Sequence, residues 1–256
     1  MMEKTEGIII KTINYGETNK IITLFTREHG KIGLMARGAK KTKSKLSAVS
    51  QLLMYGQFLY QKGKGLGVLH QGEPLLPFRE LKTDLYKMAY AAYIVEMLDK
   101  LTDQNVKNPY LFELLLQILN YIDEGIDPEV LLMIFEVKML SAAGIEPELD
   151  RCIQCGLQDG PFNFSISGGG LICQRCSKND HYNIPMSQTS GKLLRLFKHF
   201  DLKRLGKVDL KKETKNELKQ ILTAYYDHYS GLHLKSKRFL DQLDSFEKNL
   251  INREKR

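Results

Sequence analysis

Tryptophan is absent from the 256 residues, so stacking on a planar ligand would fall to tyrosine, phenylalanine or arginine. Long apolar runs are absent as well. "VLLMIF" at 130–135 is among the longest, far short of the ~20 residues that cross a bilayer. The opening "MMEKTEGIII" lacks the apolar core and cleavage site of an export signal. These absences lead to the expectation of a soluble, cytoplasmic protein with no membrane partner. Carboxylates are missing from residue 29 to residue 72. Cysteine is scarce: the four in the chain all fall between positions 152 and 176.

The marks of common catalytic sites are missing too. There is no Walker-type phosphate loop, no His-Glu-x-x-His helix and no Gly-x-Ser-x-Gly elbow. "SGGGL" and "GKGLG" are glycine-rich but lack the strand and helix context of a nucleotide loop, so both read as turns. The six histidines are scattered. The expectation is a non-catalytic protein with no small-molecule substrate.

What is present starts with the cysteines. Two residues separate Cys152 from Cys155, two separate Cys173 from Cys176, and seventeen lie between the pairs. Thiolates on two such knuckle turns can close a tetrahedral shell around one zinc ion. Gly156 suits the first knuckle. "FNFSI" alternates like a strand, "GGG" turns the chain and "LIC" starts back, giving a hairpin between the knuckles. A pair of disulfides is the other reading of four cysteines. A cytosolic chain keeps its thiols reduced, which favours the metal. Four thiolates leave no position for water, so the single Zn2+ is expected to be structural, not catalytic.

Residues 1–76 read as strands over 7–15, 19–27, 31–36, 51–60 and 66–76, divided by "YGETN", "EHGK" and "KGKG". Five short strands suggest a small barrel. An OB-fold is the commonest such barrel that binds nucleic acid, and the pattern equally allows an SH3-like one. From Pro77 the spacing becomes helical. Leu81, Leu85, Met88, Ala89, Ala92 and Met97 place one helix over about 79–99. Asn108 with Pro109, then Asp127 with Pro128, each pair a capping side chain with proline at the first helical position. Helical patterns resume near Ser187 and run on to residue 250. The expected fold is α+β and multidomain: a barrel at 1–78, a helical domain at 79–150 and 185–250, and a metal-bound hairpin inserted at 151–184.

The formal charge of +8 points to a polyanionic partner. Residues 29–72 hold eight Lys or Arg and no acid, densest in "RGAKKTKSKL". Arg37, Lys40, Lys41, Lys43 and Lys45 therefore read as a loop that tracks phosphates. Lys31, Lys11 and Lys20 add to it, and "QKGKGLG" is a second basic loop. Tyr15, Phe25, Tyr55, Phe58 and Tyr60 lie nearby, either as barrel core or as stacking platforms. A second basic cluster, His233, Lys235, Lys237 and Arg238, precedes an amphipathic stretch. It suits either phosphate or an acidic protein tail. A zinc protein that reads duplex sequence, and an enzyme acting on nucleic acid, are the rival readings. The first lacks a recognition-helix motif.

The sequence resembles the RecO family of bacterial recombination mediators. "EGIIIKTINYGETNKIITLFTREHGKIGLMARGAKKTKS" looks like the family's N-terminal barrel, "ELDRCIQCG" with "CQRC" like its zinc module, and "LKSKRFL" like its C-terminal signature. The resemblance implies an OB-fold followed by a helical domain with a zinc hairpin. It implies binding to single- and double-stranded DNA, annealing of complementary strands, and loading of RecA with RecR and single-stranded DNA-binding protein (SSB). By position, Arg37 and the lysines after it match the family's DNA-binding segment. Lys235, Lys237 and Arg238 are the candidates for docking the acidic SSB tail. Such a protein would act at the nucleoid.

Overall fold

A computed structural model describes residues 1–206 and 208–243. By compactness the chain falls into two units: residues 1–125 with the described residues from 234 on, and residues 126–233.

The first unit begins with a closed barrel of β1 (Met2–Tyr15), β2 (Asn19–Thr26), β3 (Gly30–Ala36), β4 (Tyr55–Gln61) and β5 (Gly67–Leu76). The strand order is β1-β2-β3-β5-β4, and β1 pairs with both β2 and β4. β1 can serve two neighbours because it is long and its register shifts between Ile9 and Lys11, a bulge that bends it around the barrel. β3 and β5 pair in parallel through Leu34–Gly67 and Met35–Val68. This is the Greek-key barrel of an OB-fold, and it removes the SH3-like alternative. Ile9, Ile22, Leu24, Leu34, Phe58 and Leu69 fill the interior, the alternate residues of each strand.

Three boundaries differ from the sequence expectation. The fourth strand starts at Tyr55, not residue 51, because Leu53 and Met54 turn to exchange backbone hydrogen bonds with Ile9 at the bulge (2.8 and 2.9 Å). The basic stretch is not all loop: a short helix α1 (Lys45–Val49) follows Ser44, whose hydroxyl accepts from the Leu46 N–H. The helix expected over 79–99 is two helices, α2 (Arg79–Thr83) and α3 (Leu85–Leu101). Asp84 breaks them: it is extended, and its carboxylate caps the N–H groups of Tyr86 and Lys87. That position leaves Leu85 exposed.

α4 (Pro109–Asp123) starts at the expected cap, with Asn108 accepting from the Leu111 N–H. Its Phe112 ring meets Phe25 and Tyr55 on the outer face of the barrel, at centroid distances of 6.1 and 6.5 Å. Arg27 lies over the same ring at 4.8 Å and pairs with Glu6 and Glu113. Residues 235–243 are helical. The rest of the amphipathic stretch expected to reach residue 250 lies outside the described residues.

The second unit is built on α5 (Pro128–Ala142), capped by Asp127 and buried from Val130 to Leu140 save for Leu132. α6 (Gln188–His199) and α7 (Lys212–Tyr229) pack on it. The Tyr226 hydroxyl donates to the Glu136 carbonyl at 2.7 Å, and Lys138 Nζ donates to the Phe200 carbonyl at 2.7 Å. Between α5 and α6 the chain forms a small sheet of β6 (Phe162–Ser165), β7 (Gly170–Cys173) and β8 (Asn183–Pro185), ordered β7-β6-β8. β6 and β7 are the expected hairpin; β8 joins them as an added edge. Among the described residues no helix is long and apolar enough to cross a membrane.

Candidate nucleic-acid interface and metal centre

Arg37, Lys40, Lys41, Lys43 and Lys45 are all exposed and follow one another on the connection from β3 through α1. Local hydrogen bonds hold that connection. The Gly38 N–H donates to Asn19 Oδ1 (2.8 Å), the Lys40 N–H to the Thr18 carbonyl (2.8 Å), and Lys40 Nζ to the Gly16 carbonyl (3.3 Å). The loop is therefore pinned to the β1–β2 turn, in part by Lys40 itself, while its side chains stay exposed. Lys62 and Lys64, also exposed, stand on the β4–β5 loop.

Lys31 is placed differently, and Lys11 shares its partner while staying exposed. Lys31 is 3% exposed, and its Nζ donates to the Asp99 backbone carbonyl and to Oδ1. Lys11 Nζ pairs with the other Asp99 oxygen at 2.9 Å. Both cations serve the tie between the barrel and α3. Of the five aromatics, Phe25, Tyr55, Phe58 and Tyr60 are buried, and Tyr15 is exposed.

Lys235 and Arg238 are exposed on the first turn of the helix that begins at 235, with Lys237 half-buried beside them. The Glu96 carboxylate of α3 caps that turn. It accepts from the N–H groups of Lys235 and Ser236 (3.1 and 2.9 Å) and from the Ser236 hydroxyl. Burial alone would raise the Glu96 pKa; these donors bring it below the usual value. A carboxylate 139 positions upstream leaves no local pattern by which sequence reading finds this cap.

In the second unit, the sulfur atoms of Cys152, Cys155, Cys173 and Cys176 all lie within 4.8 Å of one another. Cys155 and Cys173 Sγ are 3.8 Å apart. Thiolates ~2.3 Å from a zinc ion stand about that far apart along a tetrahedron edge. Gly156 has φ +73°, the left-handed turn that lets the first knuckle close. Burial opposes ionisation of Cys152, but the backbone N–H groups of Cys155, Cys173 and Gln154 outweigh it and bring its pKa to about 6. Hydrogen bonding to Cys173, followed by burial and the other two sulfurs, pushes Cys176 up to about 12. The cluster is able to hold a metal ion, and its donors and spacing suit zinc.

The comparisons with known proteins cover nearly the whole chain. Residues 1–78 match the family model described as "Recombination protein O N terminal", and residues 82–238 match "Recombination protein O C terminal". The "DNA repair protein RecO" of Bacillus pumilus (strain SAFR-032) is 56% identical over 248 residues, 97% of each chain. Proteins of the same name from Bacillus subtilis (strain 168) and Halalkalibacterium halodurans are each 56% identical, covering 96% of this chain.

Proposed function

The chain belongs to the recombination protein O family of DNA repair proteins, and on that premise we propose that it is a non-catalytic recombination mediator. It binds single- and double-stranded DNA, anneals complementary strands, and helps load RecA on SSB-coated DNA together with RecR. One observation carries the DNA-binding part. Five exposed cations, Arg37, Lys40, Lys41, Lys43 and Lys45, follow one another on the pinned connection from β3 into α1, in a stretch with no carboxylate from residue 29 to 72. A solvated face mixes signs; a one-signed loop favours a polyanion.

In this reading the loop neutralises phosphates, which lowers the repulsion between two strands brought together for pairing. Asp99 holds Lys31 inside, whereas Lys11, paired with the same carboxylate, stays exposed and is kept among the phosphate contacts. Lys235, Lys237 and Arg238 dock the acidic SSB tail. Holding DNA and SSB at once raises the effective concentration of the protein on coated strands. The four cysteines hold one structural zinc ion, which cross-links the hairpin to its knuckles. The organisation that goes with this activity is a DNA-binding barrel at 1–78 and a helical domain carrying the metal module at 151–184. The protein acts in the cytoplasm, at the nucleoid.

The test is annealing of two complementary oligonucleotides, each coated with SSB, with and without the protein. Acceleration is the expected result. Salt-sensitive DNA binding without acceleration, even with RecR added, would overturn the mediator reading and leave a DNA-binding protein of another task.

A further inference from the structure

Exposure divides the four cysteines into two pairs. Cys152 and Cys173 are 2% and 4% exposed, whereas Cys155 is exposed and Cys176 half-buried. Each knuckle supplies one thiol of each kind. The main chain explains the division. The Cys152 N–H donates to the Leu157 carbonyl at 2.7 Å and the Ile153 N–H to the Leu171 carbonyl at 2.9 Å, which lays the first knuckle against β7. Cys173 ends β7, and its N–H donates to Cys152 Sγ at 3.4 Å. Those two sulfurs are enclosed by backbone. Cys155 lies past these bonds, in the turn closed by the Gly156 N–H on the Cys152 carbonyl (2.9 Å). Cys176 opens a single 3-10 turn that ends at Asn179.

We propose that Cys155 and Cys176 form a peroxide-sensitive pair, which joins the two knuckles by a disulfide when oxidised. The proposal rests on the zinc reading of the cluster and adds a modification site to it. Peroxide oxidises a thiolate that is open to water and spares an enclosed one. The Cys155 thiolate attacks hydrogen peroxide, the O–O bond breaks, and sulfenic acid and one hydroxide result. The Cys176 thiolate, on the other knuckle within 4.8 Å, then attacks that sulfur. An S–S bond forms, the S–O bond breaks and a second hydroxide leaves. The two sulfurs have lost two electrons and the peroxide has gained them. Cys152 and Cys173 remain as thiols, too few to close a four-sulfur shell, so the metal is released. The new bond takes over the tie between the knuckles. The hairpin therefore keeps its seat on α7, where the Phe164 ring meets Tyr225 edge-on at 5.4 Å and the Tyr229 hydroxyl donates to the Ser167 carbonyl at 3.0 Å. One tether, metallic, is exchanged for another, covalent.

The experiment treats zinc-loaded wild type with hydrogen peroxide while a colour-forming chelator reports released metal and peptide mapping reports the bonds formed. About one zinc ion per chain should be released. Cys155 should be joined to Cys176, with Cys152 and Cys173 recovered as thiols, and dithiothreitol with added zinc should restore the starting state. Trypsin should cut the oxidised chain after the exposed Arg151 and Arg175 as slowly as the zinc form, and the reduced, metal-stripped chain faster. An oxidised chain cut as fast as the stripped one overturns the exchange of tethers. Cys155→His keeps four ligands of a kind zinc accepts and removes the attacking thiol, so it should hold its metal at a peroxide dose that empties wild type. A variant emptied as readily overturns the role of Cys155. Should Cys155→His not fold, Cys176→His gives a second readout: Cys155 should stop at sulfenic acid and be trapped by dimedone, and no adduct there overturns the pair. Wild type that carries no zinc after reducing purification overturns the zinc reading itself. Loaded wild type that keeps its zinc under peroxide, or forms its disulfides within a knuckle, overturns the pair and leaves the zinc site standing.

Discussion

Lys31 of β3 and Asp99 of α3 are 68 positions apart in sequence and form a 3.2 Å ion pair at the junction of barrel and helix. Their side chains are 4% and 11% exposed. Lys11 completes the cluster from β1, so one carboxylate serves two cations on different strands. A buried ammonium is tolerated only when it is paired and hydrogen-bonded, and Asp99 supplies both an oxygen of its carboxylate and its backbone carbonyl.

Replacing Asp99 with asparagine leaves Lys31 buried without its counter-charge. The expected loss is on the order of 3 kcal/mol at neutral pH, read from urea unfolding. Burial raises the Asp99 pKa, but hydrogen bonding from Lys11 and the charge and hydrogen bond of Lys31 bring it below the ordinary value. A depressed folded pKa gives stability that is complete above the unfolded value, about 3.9, and is lost as pH falls through the lower folded value. The variant should therefore differ most from wild type at neutral pH and converge with it in acid. An equal deficit at both would show that packing, not charge, is lost.

Charge reversal of the pinned loop, Lys→Glu at positions 40, 41 and 43, should abolish DNA binding without lowering Tm, because all three side chains are exposed. For wild type, four neutralised phosphates on a single strand predict a log–log salt slope of about −3. A fourfold rise in salt would then weaken binding by roughly fifty-fold. A wild-type affinity that ignores salt would show that the loop does not hold phosphates.

Wild type purified under reducing conditions should carry about one zinc ion per chain, measured by elemental analysis. Cys152→Ser removes a buried ligand and should release the metal. A loss of ~2 kcal/mol would lower Tm by roughly 4–8 °C, and chelator treatment of wild type should reproduce much of it. Wild type free of metal, with Tm indifferent to chelator, would leave four structural thiols and no zinc site.

Glu96→Ala removes the acceptor for three donors at the start of the helix that begins at residue 235. The cost of a lost cap is about 1 kcal/mol. Limited trypsin digestion should then cut faster after Lys235, Lys237 and Arg238, read by mass spectrometry. Unchanged cleavage would mean that other contacts hold that turn.

Much of the architecture was legible because it is written in short-range terms. Asn108 and Asp127 cap their helices through N–H groups two or three residues on, so their role shows within a few letters. The cysteine pairs state their geometry in their spacing, and the absence of acid from 29 to 72 is visible by inspection. Asp84 was missed because its cap competes with a continuous apolar rhythm on either side of it. The parallel pairing of β3 with β5, which decides the barrel type, joins residues more than thirty positions apart and leaves no local trace. The same holds for individual side chains. Composition put Lys31 on a nucleic-acid surface and left Phe25 and Tyr55 as core or stacking platforms, but Asp99 holds Lys31 inside and Phe112 covers the two aromatics. Sequence alone determined which residues can cap, turn, alternate or bind metal, since those depend on backbone geometry over one or two turns of chain. Tertiary structure decided which charges and rings stay in water, since that depends on the surface that arrives to cover them.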